Sequence, residues 1–111
     1  MACGSLEIEI LNIFWQCGED ADISIQDVVD KLSENNIARA YTTIKTVMDR
    51  LVGKSLLVRY KVGKKFVYRV TLDKREMALN MLEEFTTYFF DKDYSKMFRF
   101  VEKEMDDLLV K

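Results

Sequence analysis

The chain has 111 residues, of which 49% are hydrophobic and 32% are charged, with two cysteines and no histidine. This composition is typical of one globular domain with a small appendage. No apolar run approaches the roughly 18 residues of a membrane span, and the N-terminus does not resemble a signal peptide. The sequence offers no zinc-ligand set and no catalytic constellation. We therefore expect a cytoplasmic protein that is not an enzyme and needs no cofactor.

The formal charge of -2 hides a strong asymmetry along the chain. Residues 1–35 carry one basic and eight acidic side chains, a net -7. Residues 36–70 carry nine basic side chains against Asp49 alone, a net +8, and residues 71–111 carry seven against ten, a net -3. Such a cationic block indicates a polyanion as partner. A merely solvated basic face is the alternative.

Two helices are predicted in the N-terminal third. Dense apolar residues from Ser5 to Cys17 predict a buried first helix that is capped by Ser5 and carries Trp15 in the core. After a loop, residues 23–25 are predicted to form a short strand. The second helix is predicted from about Gln26 to Asn35.

The stretch from Arg39 to Leu57 predicts a recognition helix. At helical spacing its inward face carries apolar side chains, namely Tyr41, Ile44, Val47, Met48 and Leu51. Its outward face is polar and basic: Thr42, Lys45, Thr46, Asp49 and Arg50. Hydroxyls, lysine and arginine can contact both phosphates and base edges in a DNA major groove. Only a few residues join the second and third helices, which predicts a helix-turn-helix.

Other roles stay open for some of these side chains. Thr42 or Thr43 could cap the third helix, because Ala40 is a poor cap. Arg50 could pair with Asp49 or with an upstream acid instead of a phosphate. In the next segment, Lys64 and Lys65 could do no more than solubilise a turn.

A β-hairpin is predicted after the third helix. Strand-favouring residues alternate from Leu56 to Val62 and from Phe66 to Leu72, around the basic tip Gly63-Lys64-Lys65. A helix-turn-helix followed by such a hairpin is a winged helix. The predicted fold class is therefore mainly α with a small β-hairpin, and residues 1–72 are predicted to form the DNA-binding domain.

Residues 73–111 are predicted to form a helical dimerisation region, with a break between its two helices near Asp91-Lys92-Asp93. Two helices appended after a wing have little to pack on within one chain, so we expect their apolar stripe to meet its copy in a homodimer. An intramolecular core is the alternative. The residues predicted at the interface are Phe85, Tyr88, Phe89, Met97, Phe98, Val101, Met105 and Leu108.

Four segments in order resemble the penicillinase and methicillin-resistance repressor family of BlaI and MecI, which includes copper-responsive repressors such as CopY. They are ILNIFW, AYTTIKTVMDRLVGK, VGKKFVYRV and FVEKE. The resemblance spans nearly the whole chain and implies a homodimeric winged-helix repressor on a palindromic operator. The double-stranded DNA contacts that it implies, with Arg39 from the basic block added, are Ser24, Gln26, Arg39, Thr42, Thr43, Lys45, Thr46, Arg50, Lys64 and Lys65.

The chain also departs from that family. The sensor metalloprotease of the antibiotic-resistance branch cleaves an Asn-Phe bond, whereas this chain has Arg99-Phe100, so such a protease is a doubtful partner. The CxC thiolates of the copper branch are missing, which argues against copper sensing. Ser55 stands where the family usually has glycine. The chain stops shortly after FVEKE, so the dimer is expected to be smaller.

Two further expectations concern the partner and the thiols. The rival to a DNA-binding repressor is a winged-helix protein-interaction module without specific DNA binding, because a fold does not fix its partner. Its surface should be apolar or mixed, whereas this one is basic. Cys17 is expected to be buried and inert, which leaves Cys3 as the more accessible thiol, and we expect regulation that is not redox-based.

Overall fold

A computed structural model describes residues 3–110. This part of the chain contains five helices and one antiparallel hairpin: α1 (Ser5–Cys17), α2 (Ile25–Glu34), α3 (Tyr41–Gly53), β1 (Leu57–Val62), β2 (Lys65–Val70), α4 (Lys74–Phe90) and α5 (Tyr94–Leu109). The predicted fold class, a winged helix followed by two helices, is confirmed. The chain divides into two compact units, residues 3–74 and residues 75–110.

The first unit has a well-packed apolar core. α1 contacts α2, α3 and β2, because apolar residues recur on one face of each helix. Trp15 is half-buried, and its Nε1 donates a hydrogen bond to the carbonyl of Leu72 at 3.0 Å. This indole therefore lies at the margin of the core instead of at its centre. The side chains that are almost completely buried include Ile10, Leu11, Phe14, Val28, Leu32, Ile44, Met48, Leu51, Leu57 and Tyr68.

The start of α1 differs from the prediction. Gly4, not Ser5, is the N-cap residue, and its N–H donates to Oε1 of Glu7 at 3.1 Å. The other carboxylate oxygen of Glu7 accepts a hydrogen bond from Nζ of Lys54 at 2.8 Å, although Glu7 is only 6% exposed. Burial alone would raise the pKa of Glu7, but the Lys54 ammonium and the Gly4 N–H outweigh it and lower that pKa. The ion pair joins α1 to the C-cap of α3.

α2 begins one residue earlier than predicted because Ser24 caps it. The Oγ of Ser24 accepts the N–H of Asp27 at 3.1 Å, and the N–H of Ser24 donates to Oδ2 of Asp27 at 3.1 Å. This reciprocal pair is a capping box, which satisfies two backbone donors at the helix start. The cap fixes the side chain of Ser24, and Nε2 of Gln26 donates to Oδ1 of Asp30 at 2.9 Å on the next turn of α2.

The hairpin is fastened to the loop between α1 and α2. The strand predicted over residues 23–25 is reduced to a single antiparallel bridge between Ile23 and Tyr68. The preceding residue, Asp22, accepts hydrogen bonds from the hydroxyl of Tyr60 and from the guanidinium of Arg69, the latter at 2.9 Å. These contacts hold the hairpin in place beside the helices.

The turn of the hairpin is shorter than predicted. Val62 pairs with Lys65, so only Gly63 and Lys64 lie in the turn. Gly63 has a φ of +65°, a conformation that glycine adopts without strain and that two-residue hairpin turns favour. Lys65 is consequently the first residue of β2, whereas the sequence placed it at the tip.

The unit of residues 75–110 joins α4 to α5 through aromatic rings. The ring centroid of Phe90 lies 5.5 Å from that of Phe85 and 5.3 Å from that of Phe100. Asp91 and Lys92, with φ values of +49° and +65°, separate the two helices at the predicted break. α5 thus folds back against the end of α4.

Much of the remaining apolar surface of α4 and α5 is uncovered. Of the predicted interface residues, Met97 is already buried within the chain, and Phe85 and Val101 are half-buried. The intramolecular alternative therefore holds for a few side chains. The others are exposed: Tyr88, Phe89, Phe98, Met105 and Leu108. No helix within residues 3–110 is both long and apolar enough to cross a membrane.

Candidate nucleic-acid interface

α3 separates an apolar face from a polar one. The inward residues Ile44, Val47, Met48 and Leu51 are buried. Tyr41 was predicted to pack with them, but it is 47% exposed, because it is the first residue of the helix and lies beyond the core. Of the side chains that the spacing predicted to face outward, Thr42, Lys45, Thr46 and Arg50 are exposed and Asp49 is half-buried. Thr43 is exposed as well.

The threonines of α3 are not caps. Ala40 occupies the N-cap position, so Thr42 and Thr43 lie inside the first turn. The hydroxyl of Thr46 donates to the carbonyl of Thr42 at 2.9 Å, one turn earlier. Its proton is thereby used within the helix, while the oxygen lone pairs and the methyl group remain on the exposed side. Thr46 can therefore accept a hydrogen bond or offer an apolar contact to a base edge.

A groove of about 570 Å³ lies between α3, the start of α2 and the hairpin. Five of the predicted DNA-binding residues line it: Ser24, Gln26, Lys45, Lys64 and Lys65. The rest of its lining was not assigned to the interface by the sequence pattern and consists of Ile25, Tyr41, Arg59, Phe66 and Tyr68. The signal that could have found Arg59 and Phe66 is their position on paired strands within the basic block.

The other predicted contacts lie outside that groove. Arg50 and the three threonines of α3 are exposed along the helix itself. Arg39 is exposed just before α3, where its Nη1 donates to the carbonyl of Ala38 at 2.8 Å. The structure thus presents two adjoining surfaces, an exposed helix face and a basic groove beside it.

Asp49 forms ion pairs that the sequence pattern did not predict. Its Oδ2 lies 2.8 Å from Nζ of Lys45, and its Oδ1 lies 3.6 Å from Nη1 of Arg59. Asp49 therefore pairs with these two cations, and the side chain of Arg50 stays exposed. The hydrogen bond and the charge of Asp49 raise the pKa of Lys45. Burial raises the pKa of Tyr68, and the nearby guanidinium of Arg59 opposes this increase.

Two cationic side chains of the hairpin lie over an aromatic ring. The Arg59 guanidinium lies 4.8 Å from the ring centre of Phe66, and the Lys61 ammonium lies 5.2 Å from it. Cations placed over an aromatic face are held there by the ring quadrupole, with an energy of about 0.5–1 kcal/mol at exposed sites. Phe66 thus orients two positive charges beside the groove.

The two cysteines are arranged opposite to the prediction. Cys17 is exposed, because it is the last residue of α1, whereas Cys3 is half-buried. Burial raises the pKa of Cys3, and the nearby charge of Glu7 adds to the increase. Residues 3–110 contain no group of three or more histidine, cysteine, aspartate or glutamate side chains that could hold a metal ion.

The bond between Arg99 and Phe100 lies within α5, directly after the sixth residue of the helix. The ring of Phe100 packs with those of Phe85 and Phe90, and its centroid lies 6.5 Å from that of Phe85. A protease would have to unfold this part of the helix to reach the bond, since proteases cleave extended chain.

The comparisons with known proteins agree with this architecture. The iron-bound ferric uptake regulator from Francisella tularensis superimposes with a TM-score of 0.55 at 16% sequence identity, and the alignment covers 80% of each chain. At this identity the likeness shows the fold alone, that of a winged-helix regulator. No curated protein sequence matches the chain. The profile of the penicillinase repressor family matches residues 3–108, and the protein therefore belongs to this family of DNA-binding transcriptional repressors, which are not enzymes.

Proposed function

We propose that the protein represses transcription as a homodimer on a palindromic operator, with α3 in the major groove and the hairpin on the DNA backbone. One observation carries the proposal. The exposed hydroxyl and basic face of α3 adjoins a groove whose rim brings Ser24, Gln26, Lys64 and Lys65 together. This arrangement joins side chains suited to base edges with side chains suited to phosphates.

Each part of this surface has a distinct role. Thr42, Thr43, Thr46 and Arg50 lie on the exposed face of α3, and in this role they contact base edges and the nearest phosphates. Lys64 and Lys65 extend from the hairpin, where they neutralise backbone phosphates without reading sequence. Ser24 and Gln26 lie at the N-terminus of α2, whose helix dipole attracts a phosphate.

The exposed stripe on α4 and α5 supports the homodimer. Large apolar side chains such as Phe89, Phe98 and Leu108 are 73%, 59% and 62% exposed in the single chain. Covering them with a second copy would remove this surface from water. A palindromic operator then follows from the two-fold symmetry of the dimer.

The first test is the salt dependence of binding to a short random-sequence duplex and to the tightest duplex selected with the wild-type protein. Replacing Lys64 and Lys65 together with alanine should weaken binding to both duplexes similarly, by roughly tenfold at moderate salt. The slope of log affinity against log salt should become shallower by about 0.9 for each phosphate that the variant no longer neutralises. Fluorescence anisotropy measures both quantities.

The matched control replaces Lys96 and Lys103, two exposed lysines of α5, with alanine. It removes the same charge and should leave the salt slope unchanged. Binding that does not depend on salt, or no binding to either duplex at low salt, would overturn the proposal. The second outcome would favour a winged-helix protein-interaction module.

Base reading by α3 requires its own test. Thr46→Ala should change which duplex is selected, because it removes an acceptor oxygen and a methyl group from the exposed face of α3. Ser33→Ala, on the exposed side of α2, is the control and should select the wild-type sequence. Equal reductions in affinity for the selected and random duplexes would exclude Thr46 from base readout.

Cleavage by a sensor protease is not part of the proposed mechanism. Arg99 would place a long cation before the scissile bond, where the family's cleavage site has a short amide. The bond also lies within α5, next to a packed aromatic ring. The Arg99 side chain and the helical position of the bond are both compatible with release from DNA by separation of the dimer without cleavage.

A further inference from the structure

Asp49 is the one acidic residue in the basic block of residues 36–70. It lies on α3, at the surface that we propose for DNA binding, and its side chain is 38% exposed. A carboxylate at such a place repels phosphates and would weaken DNA binding if it acted alone. Its effect on DNA therefore depends on the groups that it contacts.

The two carboxylate oxygens of Asp49 face different cations. Oδ2 accepts a hydrogen bond from Lys45 on the preceding turn of α3, with an N–O distance of 2.8 Å. Oδ1 lies 3.6 Å from Nη1 of Arg59 on β1, which is within ion-pair range but too long for a hydrogen bond. Within the described part of the chain, this buried oxygen has no hydrogen-bond donor. The carboxylate thus attracts Arg59 without locking it.

Arg59 is held in place by other groups as well. Its guanidinium lies over the ring of Phe66, and its positive charge interacts with the hydroxyl of Tyr68, where it opposes the rise in pKa that burial causes. The Arg59 side chain is nevertheless 42% exposed and lines the basic groove. It can therefore reach a phosphate in that groove while its stem stays in position.

One carboxylate consequently offsets part of the charge of two groove cations. A duplex whose bases do not match α3 gains only phosphate contacts, and the negative charge of Asp49 weakens these contacts. A duplex that fits α3 gains base contacts too, and these fix its register so that its phosphates can meet the remaining N–H donors of Lys45 and Arg59. Asp49 therefore opposes generic binding more than specific binding.

We propose that Asp49 is a specificity-determining residue, which lowers the affinity for non-operator DNA by holding Lys45 and Arg59 in a shared ion pair. This inference rests on the proposed function and deepens it. Its physical basis is that specificity can come from a group that disfavours the wrong partner. The residue acts through the two cations and is not itself a DNA contact.

The test compares Asp49→Asn with the wild type on a random-sequence duplex and on the tightest duplex selected with the wild type. Asp49→Asn should tighten binding to the random duplex by about three- to tenfold at moderate salt and steepen its salt slope by about 0.9 or more. Binding to the selected duplex should tighten less, so the ratio of the two affinities should fall.

Glu34→Gln is the matched control. Glu34 is an exposed acid that pairs with Lys31 at 3.8 Å on α2, so its replacement changes the net charge by the same amount and also breaks a helical ion pair. Its affinity ratio should equal that of the wild type. Asp49→Glu, which keeps the charge, should retain most of the discrimination even if Asp49→Asn lowers the melting temperature.

A variant with both Lys45→Gln and Arg59→Gln tests whether Asp49 acts through these two cations. In that background Asp49→Asn should have little effect on the random duplex, because the cations that Asp49 holds are gone. A gain that persists there would overturn the inference. So would an Asp49→Asn protein that tightens on both duplexes equally or behaves as Glu34→Gln does. These failures leave the proposed function intact, whereas a wild-type protein that binds neither duplex at low salt would overturn both.

Discussion

The two compact units of this chain bury their apolar residues to very different extents. In residues 3–74 the three helices and the hairpin enclose a set of nearly inaccessible side chains, from Ile10 to Val70. In residues 75–110 the buried side chains are Met77, Thr86 and Met97, while large apolar residues along both helices stay exposed. The first unit has a core of its own, and the second leaves exposed the apolar side chains that the proposed dimer would cover.

The basic part of the first unit also differs in charge from the second unit. The segment that includes α3 and the hairpin is strongly basic, whereas residues 71–111 have a net charge of -3. A basic surface favours a polyanion, and an uncovered apolar surface favours another apolar surface. In the proposed function, DNA binding and dimerisation therefore lie in separate units.

The largest expected effect comes from a substitution in the second unit. Phe98→Asp places a charge at the centre of the proposed dimer interface, where burial without a partner costs several kcal/mol. The dimer should separate into monomers, as measured by analytical ultracentrifugation. Thermal unfolding of the first unit, followed through Trp15 fluorescence, should stay unchanged.

Lys103→Asp is the control for this substitution, because Lys103 is an exposed polar residue on the same helix. It introduces the same carboxylate away from Phe98 and should leave the dimer intact. A Phe98→Asp protein that sediments as the wild type does would move the interface away from α5.

An intermediate effect is expected from the ion pair inside the first unit. Glu7→Gln removes the charge that pairs with Lys54 and should lower the free energy of unfolding by about 1–2 kcal/mol at neutral pH. Because the pKa of Glu7 is lowered on folding, its contribution is complete above its ordinary value of 4.5. It is lost as the pH falls from there through the lowered pKa.

Urea unfolding at several pH values measures this contribution. The difference between the wild type and Glu7→Gln should shrink as the pH falls below 4.5. Glu9→Gln, at an exposed position of the same helix, is the control and should change little. A constant difference down to low pH would show that the charge of Glu7 is not what stabilises the fold.

The smallest expected effect lies at the end of α3, in the first unit. Ser55 follows α3 with a φ of +62°, a left-handed conformation that costs a residue with a Cβ about 1–2 kcal/mol. Ser55→Gly should raise the melting temperature by an amount that corresponds to less than about 1 kcal/mol, after the greater flexibility of unfolded glycine is subtracted. Its backbone hydrogen bonds to Val52 and Thr71 are kept.

Ser33→Gly provides the opposite control. Ser33 lies inside α2, where glycine should destabilise the helix by about 0.5–1 kcal/mol. If both substitutions lowered the melting temperature equally, the left-handed conformation of Ser55 would carry no strain.

The helices and strands followed from local patterns. Recurrence every three or four residues predicted α1, α2 and α3, and alternation predicted the hairpin, because these periods decide which side chains share a face. The errors lie at the ends. Gly4 replaced Ser5 as the cap, and Tyr41 fell outside the core, since the surroundings of a terminal residue are supplied by other parts of the chain.

The sequence alone determined the fold class, the outward residues of α3 and the basic character of the middle third, because these depend on residue type and spacing. Only the tertiary structure decided which charges meet. It paired Asp49 with Arg59 and Glu7 with Lys54, contacts that span ten and 47 positions of the chain. It also left Cys17 exposed and Cys3 half-buried. Periodicity describes one element at a time, whereas ion pairs and thiol burial depend on how separate elements pack together.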